Sequence, residues 1–191
     1  RGHITLNYTQ LLMGFYENNV IANTIALSQK YKLKFIVNFG SGDGAHLVSL
    51  VKNKIFKNGI GFEKDVTFQK LLNKNLMKNN VSNKVKVFGD IDINLIDKSY
   101  IDLKKTLFLV DVDGYEFSLF SDENISFFKD SCLIIEFHPR AESNKILIKK
   151  FFKTIKKHFK VHIFKDDHFY NNKIPYSKFF DTLNDDERYI M

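Results

Sequence analysis

The sequence predicts an α/β fold: an open, mostly parallel, doubly wound sheet with an N-terminal helical segment. Two observations support this fold class. Short apolar runs rich in β-branched residues alternate with amphipathic segments, a pattern typical of repeated strand–helix units. One of these runs, LFLVDV, is apolar almost throughout, as expected of a strand covered on both faces. Right-handed crossovers between such strands place helices on both sides of a parallel sheet.

The elements follow in chain order. Each apolar run predicts a strand, giving Lys34–Phe39, Gly59–Glu63, Val85–Phe88, Thr106–Asp111, Cys132–His138 and Val161–Phe164. The amphipathic segments predict helices over Ala45–Phe56, Val66–Lys78, Glu116–Phe128 and a stretch capped by Ser143, in which Phe and Ile recur at helical spacing. Leu6–Tyr31 is helical by pattern and precedes the first strand. Arg188–Met191 is a candidate last strand.

Length and composition predict one domain over residues 1–191, because 191 residues at 44% hydrophobic content can bury one substantial core. We expect a helical cover over 1–31, a core over 32–166 and a tail over 167–191. The single cysteine, Cys132, excludes an intramolecular disulfide and favours a reducing compartment. No apolar run approaches the roughly 20 residues that span a bilayer, and the first residues do not resemble a signal peptide. These features predict a cytoplasmic protein.

The net charge of +7 raises the question of an anionic partner. Of the 29 basic residues only Arg1, Arg140 and Arg188 are arginine, the residue that recognises bases and phosphates in a bidentate manner. The lysines are scattered among Asn, Ile and Phe, as on a solvated surface. We therefore expect neither a nucleic acid nor a membrane as partner. The densest lysine cluster, from Lys149 to Lys160, fits an outer helix, with a membrane-surface helix as the alternative.

A glycine-rich loop follows the first predicted strand in IVNFGSGDGAHLVSL. It places three of the nine glycines, Gly40, Gly42 and Gly44, within five residues around Ser41. Glycine permits a tight turn and lets the backbone approach a ligand closely. With Ala45 as the last small residue, the loop also fits the dinucleotide pattern G-x-G-x-x-G/A. The loop predicts a nucleotide-like cofactor; a purely structural turn is the alternative.

Acids follow the next two strands. Glu63 ends the second strand about 20 residues beyond the loop, where a carboxylate can accept both hydroxyls of a ribose. Asp90 follows the third strand and could accept a hydrogen bond from an adenine amine, although an Asx turn explains it equally well. A solvated side chain is the alternative for Glu63. Together these residues predict an adenosine-type ligand.

A second polar cluster is predicted where the fourth and fifth strands end. Asp111 and Asp113 share one side of an extended strand, and Glu136 and His138 share one side of the next. If the two strands flank the switch point of the sheet, these four groups and Glu116 converge on one pocket. Capping of the following helix by the acids is the alternative; it suits Glu116 best and leaves Asp111 unexplained.

The segments NFGSGDG, GFEKD, FGD, LVDVDGYE and LIIEFHP resemble class I S-adenosylmethionine-dependent methyltransferases, in particular the FkbM-like family. The resemblance covers roughly Lys34 to Lys165. It implies a Rossmann-like fold, S-adenosyl-L-methionine as cofactor, and O-methylation of a hydroxyl on a sugar or other natural product. The implied cofactor-binding residues are Asn38, Gly40, Ser41, Gly42, Gly44, Glu63 and Asp90. Three positions depart from the family pattern: Asn38 replaces an acid, Gly42 an asparagine and Asp113 a glutamate.

Methyl transfer from a sulfonium is an in-line displacement, so catalysis depends on holding the acceptor oxygen close to the methyl carbon. Asp113 and His138 are the candidate general bases, and Asp111 would orient the cofactor or the acceptor. The acids of this cluster could also hold Mg²⁺, and some methyltransferases of this fold use such an ion. No His/Cys spacing demands zinc, and we assign no metal ligands.

Four alternatives remain. A nucleotide-sugar glycosyltransferase would use Asp111 and Asp113 as a metal-binding D-x-D, but it leaves the glycine loop and Glu63 unexplained. An NAD(P)-dependent oxidoreductase would explain the glycine loop and Glu63 but gives the DVDGYE segment no role. A binding module that has lost its chemistry would account for Asn38. A basic nucleic-acid methyltransferase is the fourth, without an Arg-rich arm to support it.

Overall fold

The computed structural model describes residues 17–97, 99–138 and 145–164. The chain divides into two compact units, one formed by residues 1–23 and 163–191 and the other by Thr24–His162. Of the first unit, the structure describes residues 17–23 and 163–164. Every strand described lies in the second unit, which therefore contains the site considered below.

The second unit is built on a five-stranded parallel sheet in the order β3-β2-β1-β4-β5. The strands are β1 Phe35–Phe39, β2 Asn58–Phe62, β3 Val85–Phe88, β4 Thr106–Val110 and β5 Cys132–Ile135. The helices are α1 Asn18–Tyr31, α2 Ala45–Lys52, α3 Val66–Lys78, α4 Glu116–Leu119, α5 Ile125–Phe128 and α6 Lys145–His158. The predicted α/β fold class is confirmed. From β1 the strand order proceeds one way to β2 and β3 and the other way to β4 and β5, so the switch point lies between β1 and β4. Open parallel sheets bind ligands at such a switch point.

One face of the sheet carries an aromatic cluster. The Phe39 ring centroid lies 5.1 Å from that of Phe62, 5.8 Å from that of Phe108 and 6.4 Å from that of Phe128. All four side chains are fully buried. Offset and edge-to-face aromatic contacts of this kind add to the burial of apolar area. The cluster fixes the strands directly below the edge at which the polar residues emerge.

The other face packs tightly against α2 and α3. A Cβ on Gly59 would lie 2.9 Å from Leu47 Cδ1, and a Cβ on Gly61 would lie 2.8 Å from Ser41 Oγ. Leu47 and Leu72 on these helices are fully buried. The two glycines of β2 therefore let α2 and the loop before it sit directly on the strand.

Two predicted elements are wrong. The helix predicted over Glu116–Phe128 is two short helices, because Ser-Asp-Glu-Asn at 121–124 forms a turn in which Ile125 N–H donates to the Ser121 carbonyl. Such residues compete with helices through local hydrogen bonds. The strand predicted over Val161–Phe164 is irregular chain, and its last three residues are exposed. An apolar pattern without a buried face does not make a strand.

Several predicted boundaries extend too far. The helix from Ala45 ends at Lys52, because Lys54 adopts a positive φ of 60°. The strand from Cys132 ends at Ile135, because its partner β4 ends at Val110. Val66–Lys78 and Val85–Phe88 are found with the predicted bounds.

The remaining expectations concern the termini. The described part of the predicted N-terminal helix is α1, whereas Ser143 and Arg188–Met191 lie outside the described residues. None of the helices described is both long enough and apolar enough to cross a bilayer. The prediction of a single domain over residues 1–191 stays a prediction.

Candidate functional site

The glycine-rich loop joins β1 to α2 and is tied to the end of β2. The backbone N–H groups of Gly40 and Ser41 both donate to the Phe62 carbonyl, at 3.0 and 2.9 Å. The Ser41 hydroxyl donates to the Asn38 carbonyl at 2.9 Å, and Gly44 N–H donates to the Ser41 carbonyl at 2.8 Å. The loop is therefore shaped by the chain itself.

The three glycines of the loop differ in their surroundings. A Cβ on Gly40 would lie 1.6 Å from the backbone oxygen of Asp111, and one on Gly44 would lie 2.3 Å from Leu72 Cδ1. A Cβ on Gly42 would meet no atom of the described residues within 4 Å. Packing within the protein thus requires the first and third glycines. Only Gly42 borders open space, so it is the position of the loop where a ligand could approach.

Glu63 lies against this loop, directly after β2. Its Oε2 accepts the Gly42 N–H at 2.7 Å, and its Oε1 accepts the Asp65 N–H at 2.9 Å. Gln69 on α3 donates to the Glu63 backbone carbonyl at 2.7 Å, which fixes the turn. Each carboxylate oxygen has a second lone-pair site, so Glu63 can still accept hydrogen bonds from a ligand. The predicted proximity of Glu63 to the loop is confirmed.

Asp65 fixes the start of α3 beside Glu63. Its carboxylate accepts the N–H groups of Thr67 and Phe68 as an N-cap. The backbone hydrogen bonds from Phe68 and then Thr67 lower the pKa of this exposed carboxyl. Glu63 is thereby held between two ordered backbone segments.

Asn38 lies at the end of β1 and is 3% exposed. Its Nδ2 faces two carbonyls, those of Leu109 at 3.3 Å and Phe39 at 3.4 Å. An acid here could offer no N–H to these oxygens, so the amide suits its surroundings better than the family's carboxylate would. Its Oδ1 is the side-chain atom that could accept a hydrogen bond from a ligand.

Asp90 follows β3 at the same edge of the sheet and is exposed. The Asx turn considered for it belongs instead to Asp92, whose Oδ1 accepts the Asn94 N–H at 2.9 Å. Water can solvate this exposed side chain, and the predicted contact of Asp90 with adenine stays a prediction.

The second polar cluster surrounds His138. The Nε2 atom of His138 lies 3.6 Å from Asp111 Oδ1, 3.7 Å from Asp113 Oδ1 and 3.7 Å from Glu136 Oε1. The Nδ1 atom lies 3.5 Å from Glu116 Oε1. The predicted convergence of five polar groups is confirmed, whereas their chemical roles stay predictions.

The carboxylates of this cluster differ sharply in environment. The Asp113 side chain is 99% exposed. The backbone of Asp113 has a positive φ of 47°, which aspartate tolerates better than most residues. The Glu116 side chain is fully buried. Its Oε2 accepts the Gly114 N–H and its Oε1 accepts the His138 N–H, both at 2.8 Å. Helix capping alone does not explain a carboxylate that joins the ends of two strands.

Three residues of the cluster could hold a divalent cation. Asp111, Asp113 and His138 each offer one ligand atom, and these atoms lie within 4.8 Å of one another. Two carboxylates and an imidazole suit several divalent ions. The chemistry proposed below does not require such an ion.

Cys132 is not a candidate nucleophile. It begins β5, at the opposite edge of the sheet from the polar cluster, and burial raises the pKa of its thiol. A thiol must ionise to react, so this environment disfavours its reaction.

No protein-family model matches the chain, and no curated protein matches it. Among solved structures, an O-methyltransferase from Bacillus cereus in complex with S-adenosylhomocysteine (SAH) aligns with a TM-score of 0.53. It is 14% identical, and the alignment covers 73% of this chain and 70% of that one. A Klebsiella pneumoniae protein, provisionally named an O-methyltransferase, aligns with a TM-score of 0.53 at 12% identity over 73% and 67% of the two chains. These matches confirm the Rossmann-like methyltransferase fold.

The different surroundings of the glycines predict different costs of substitution. Gly40→Ala should lower the free energy of unfolding by about 3 kcal/mol or more, because the new methyl group meets the Asp111 carbonyl. Gly42→Ala is the matched control, with a positive φ of 53° but open space, and should cost about 1–2 kcal/mol. Urea unfolding measures both values, and equal losses would contradict the packing argument.

Proposed function

We propose that this protein is an S-adenosylmethionine-dependent methyltransferase that methylates a hydroxyl oxygen. One observation carries the proposal: the edge of the sheet presents two adjoining polar regions at its switch point. Gly42 and Glu63 form the first, after β1 and β2. Asp111 and His138 belong to the second, after β4 and β5. A donor and an acceptor bound at these regions would be neighbours.

The first region suits the cofactor. Glu63 has acceptor capacity for the two ribose hydroxyls, and the open space at Gly42 admits the nucleoside beside the backbone. Asp90 after β3 would accept from the adenine amine, and Asn38 Oδ1 from the methionine ammonium. The SAH bound to the Bacillus cereus neighbour supports this choice of cofactor. Gly40, Ser41 and Gly44 shape the loop without needing to contact the ligand.

The second region suits the chemical step. The acceptor oxygen would attack the methyl carbon as the carbon–sulfur bond breaks, its electron pair staying on sulfur to give a neutral thioether. The hydroxyl proton would pass to His138 Nε2, and the surrounding carboxylates would stabilise the resulting imidazolium. Asp111 would orient the acceptor. Most of the rate enhancement would come from alignment within this frame.

A sugar or another polyhydroxylated natural product is the acceptor class we favour. The resemblance to the FkbM-like family suggests it, and two features of the cluster support it. Asp111 and Asp113 are 43% and 99% exposed, so both can accept hydrogen bonds from acceptor hydroxyls. Tyr115, next in sequence to Gly114, is 49% exposed and offers an aromatic surface for a ring.

A nucleotide-sugar glycosyltransferase remains the second candidate, because Asp111, Asp113 and His138 have the spacing to bind one cation. In that reaction the cation would hold a diphosphate. That function does not by itself explain the glycine loop together with Glu63.

Cofactor choice separates the two candidates. SAH at about 100 times its dissociation constant should stabilise the protein by about 2.7 kcal/mol, which corresponds to a rise in Tm of roughly 5–10 °C. A nucleoside diphosphate with Mn²⁺ should give no comparable rise. Differential scanning calorimetry with each ligand tests this. A rise in Tm with the nucleoside diphosphate and Mn²⁺ but not with SAH would favour the glycosyltransferase.

Asp111→Ala should reduce methyl transfer by at least about 100-fold while leaving the fold intact, because the acceptor loses its orienting carboxylate. The measurement is transfer of radiolabelled methyl from S-adenosylmethionine to a panel of sugars and natural-product hydroxyls. Asp130→Ala, at an exposed acid before β5, is the matched control and should retain activity. Unchanged transfer by the Asp111 variant would remove this residue from the mechanism.

A further inference from the structure

We infer that Glu116 is a positioning residue that fixes the His138 imidazole with a proton on Nδ1, so that Nε2 receives the acceptor's proton. The inference rests on the proposed function and assigns a task to a buried carboxylate that does not touch the acceptor. Its evidence is the burial of Glu116, its two backbone hydrogen bonds and its contact with the imidazole ring.

Glu116 first holds the backbone on either side of the cluster. Its Oε2 accepts the Gly114 N–H and its Oε1 accepts the His138 N–H, both at 2.8 Å. Gly114 follows β4 and His138 follows β5, so one side chain sets the separation of the two strand ends. Each oxygen of the Glu116 side chain thus accepts one backbone N–H.

The same carboxylate then acts on the ring. The His138 Nδ1 atom lies 3.5 Å from Glu116 Oε1, is itself buried and has no hydrogen-bond partner among the residues that the structure describes. A lone pair on Nδ1 would face the carboxylate across an interior that excludes water, whereas a proton there would be attracted to it. This contact therefore favours the Nδ1–H tautomer.

The other acids oppose this choice only weakly. Asp111, Asp113 and Glu136 all lie near Nε2 and would favour a proton there. Their side chains are 43%, 99% and 38% exposed, against 0% for Glu116. Water and salt screen exposed charges far more than buried ones. The buried contact therefore decides the tautomer, and the Nε2 lone pair faces the exposed side.

The consequence for the reaction is a defined proton path. The acceptor's O–H bond breaks as its oxygen bonds to the methyl carbon, and the proton goes to the Nε2 lone pair of His138. The ring then carries protons on both nitrogens, with Glu116 near Nδ1 and the exposed acids near Nε2. The contact of 3.5 Å is longer than a hydrogen bond and would shorten when ligands fill the site.

Nitrogen-15 NMR of labelled protein tests the inference with SAH as the probe. Two-bond correlations identify which ring nitrogen carries the proton, at a pH where the ring is neutral, and His138→Gln assigns the signal among the six histidines. The wild-type protein should show Nδ1–H. Glu116→Gln should lose that preference while its SAH affinity, measured by calorimetry, changes by less than about twofold. Glu123→Gln, at an exposed acid, should change neither quantity.

The wild-type spectrum alone can overturn the inference. A neutral His138 with its proton on Nε2 would contradict it even if the Glu116 variant failed to fold, and so would a folded variant that keeps Nδ1–H. Failure of SAH to bind the wild-type protein would count against the proposed function instead. The tautomer of the free protein would then still test the role of Glu116.

Discussion

The close approach of Gly40 to the backbone of Asp111 is the constraint on which the candidate site depends. Asp111 N–H donates to the Phe39 carbonyl at 3.0 Å, and the space beside Gly40 is too small for a Cβ. This contact joins the end of β1 to the end of β4 at the switch point of the sheet. A bulkier residue would force the glycine loop and the His138 cluster apart. The adjoining positions of the two polar regions thus depend on the absence of a side chain at Gly40.

Burial divides the work among the carboxylates at this edge. Glu63 and Glu116 both accept backbone N–H groups, so each orders the chain around it. Asp111 and Asp113 are more exposed than Glu116 and can therefore meet a ligand, as can Glu63 through its remaining lone pairs. The aromatic cluster beneath the edge keeps these positions in place, since rings packed at interior density resist displacement.

The five strands were predicted well because the buried strands of a parallel sheet are continuous apolar runs, and such runs are visible in the sequence itself. The sequence overestimated β5 because Glu136, Phe137 and His138 continue a polar–apolar alternation that suits a strand, whereas the strand ends with its partner. It predicted that Glu63 lies near the loop, since both follow neighbouring strands. It could not show that Gly40 and Gly44 are required by packing, because Asp111 and Leu72 are distant in sequence. The burial of Glu116 likewise depends on tertiary contacts; the only local signal was an acid directly after DVDGY.

The central claim is that a single adenosyl group contacts both Gly42 of the glycine loop and Glu63. Mapping amide chemical-shift changes during a titration of labelled protein with SAH tests it most directly. The account predicts that the largest changes fall on Gly42, Glu63 and Asp90, with smaller ones near Asp111. Saturable changes confined to other parts of the chain, or no changes at millimolar SAH, would contradict it.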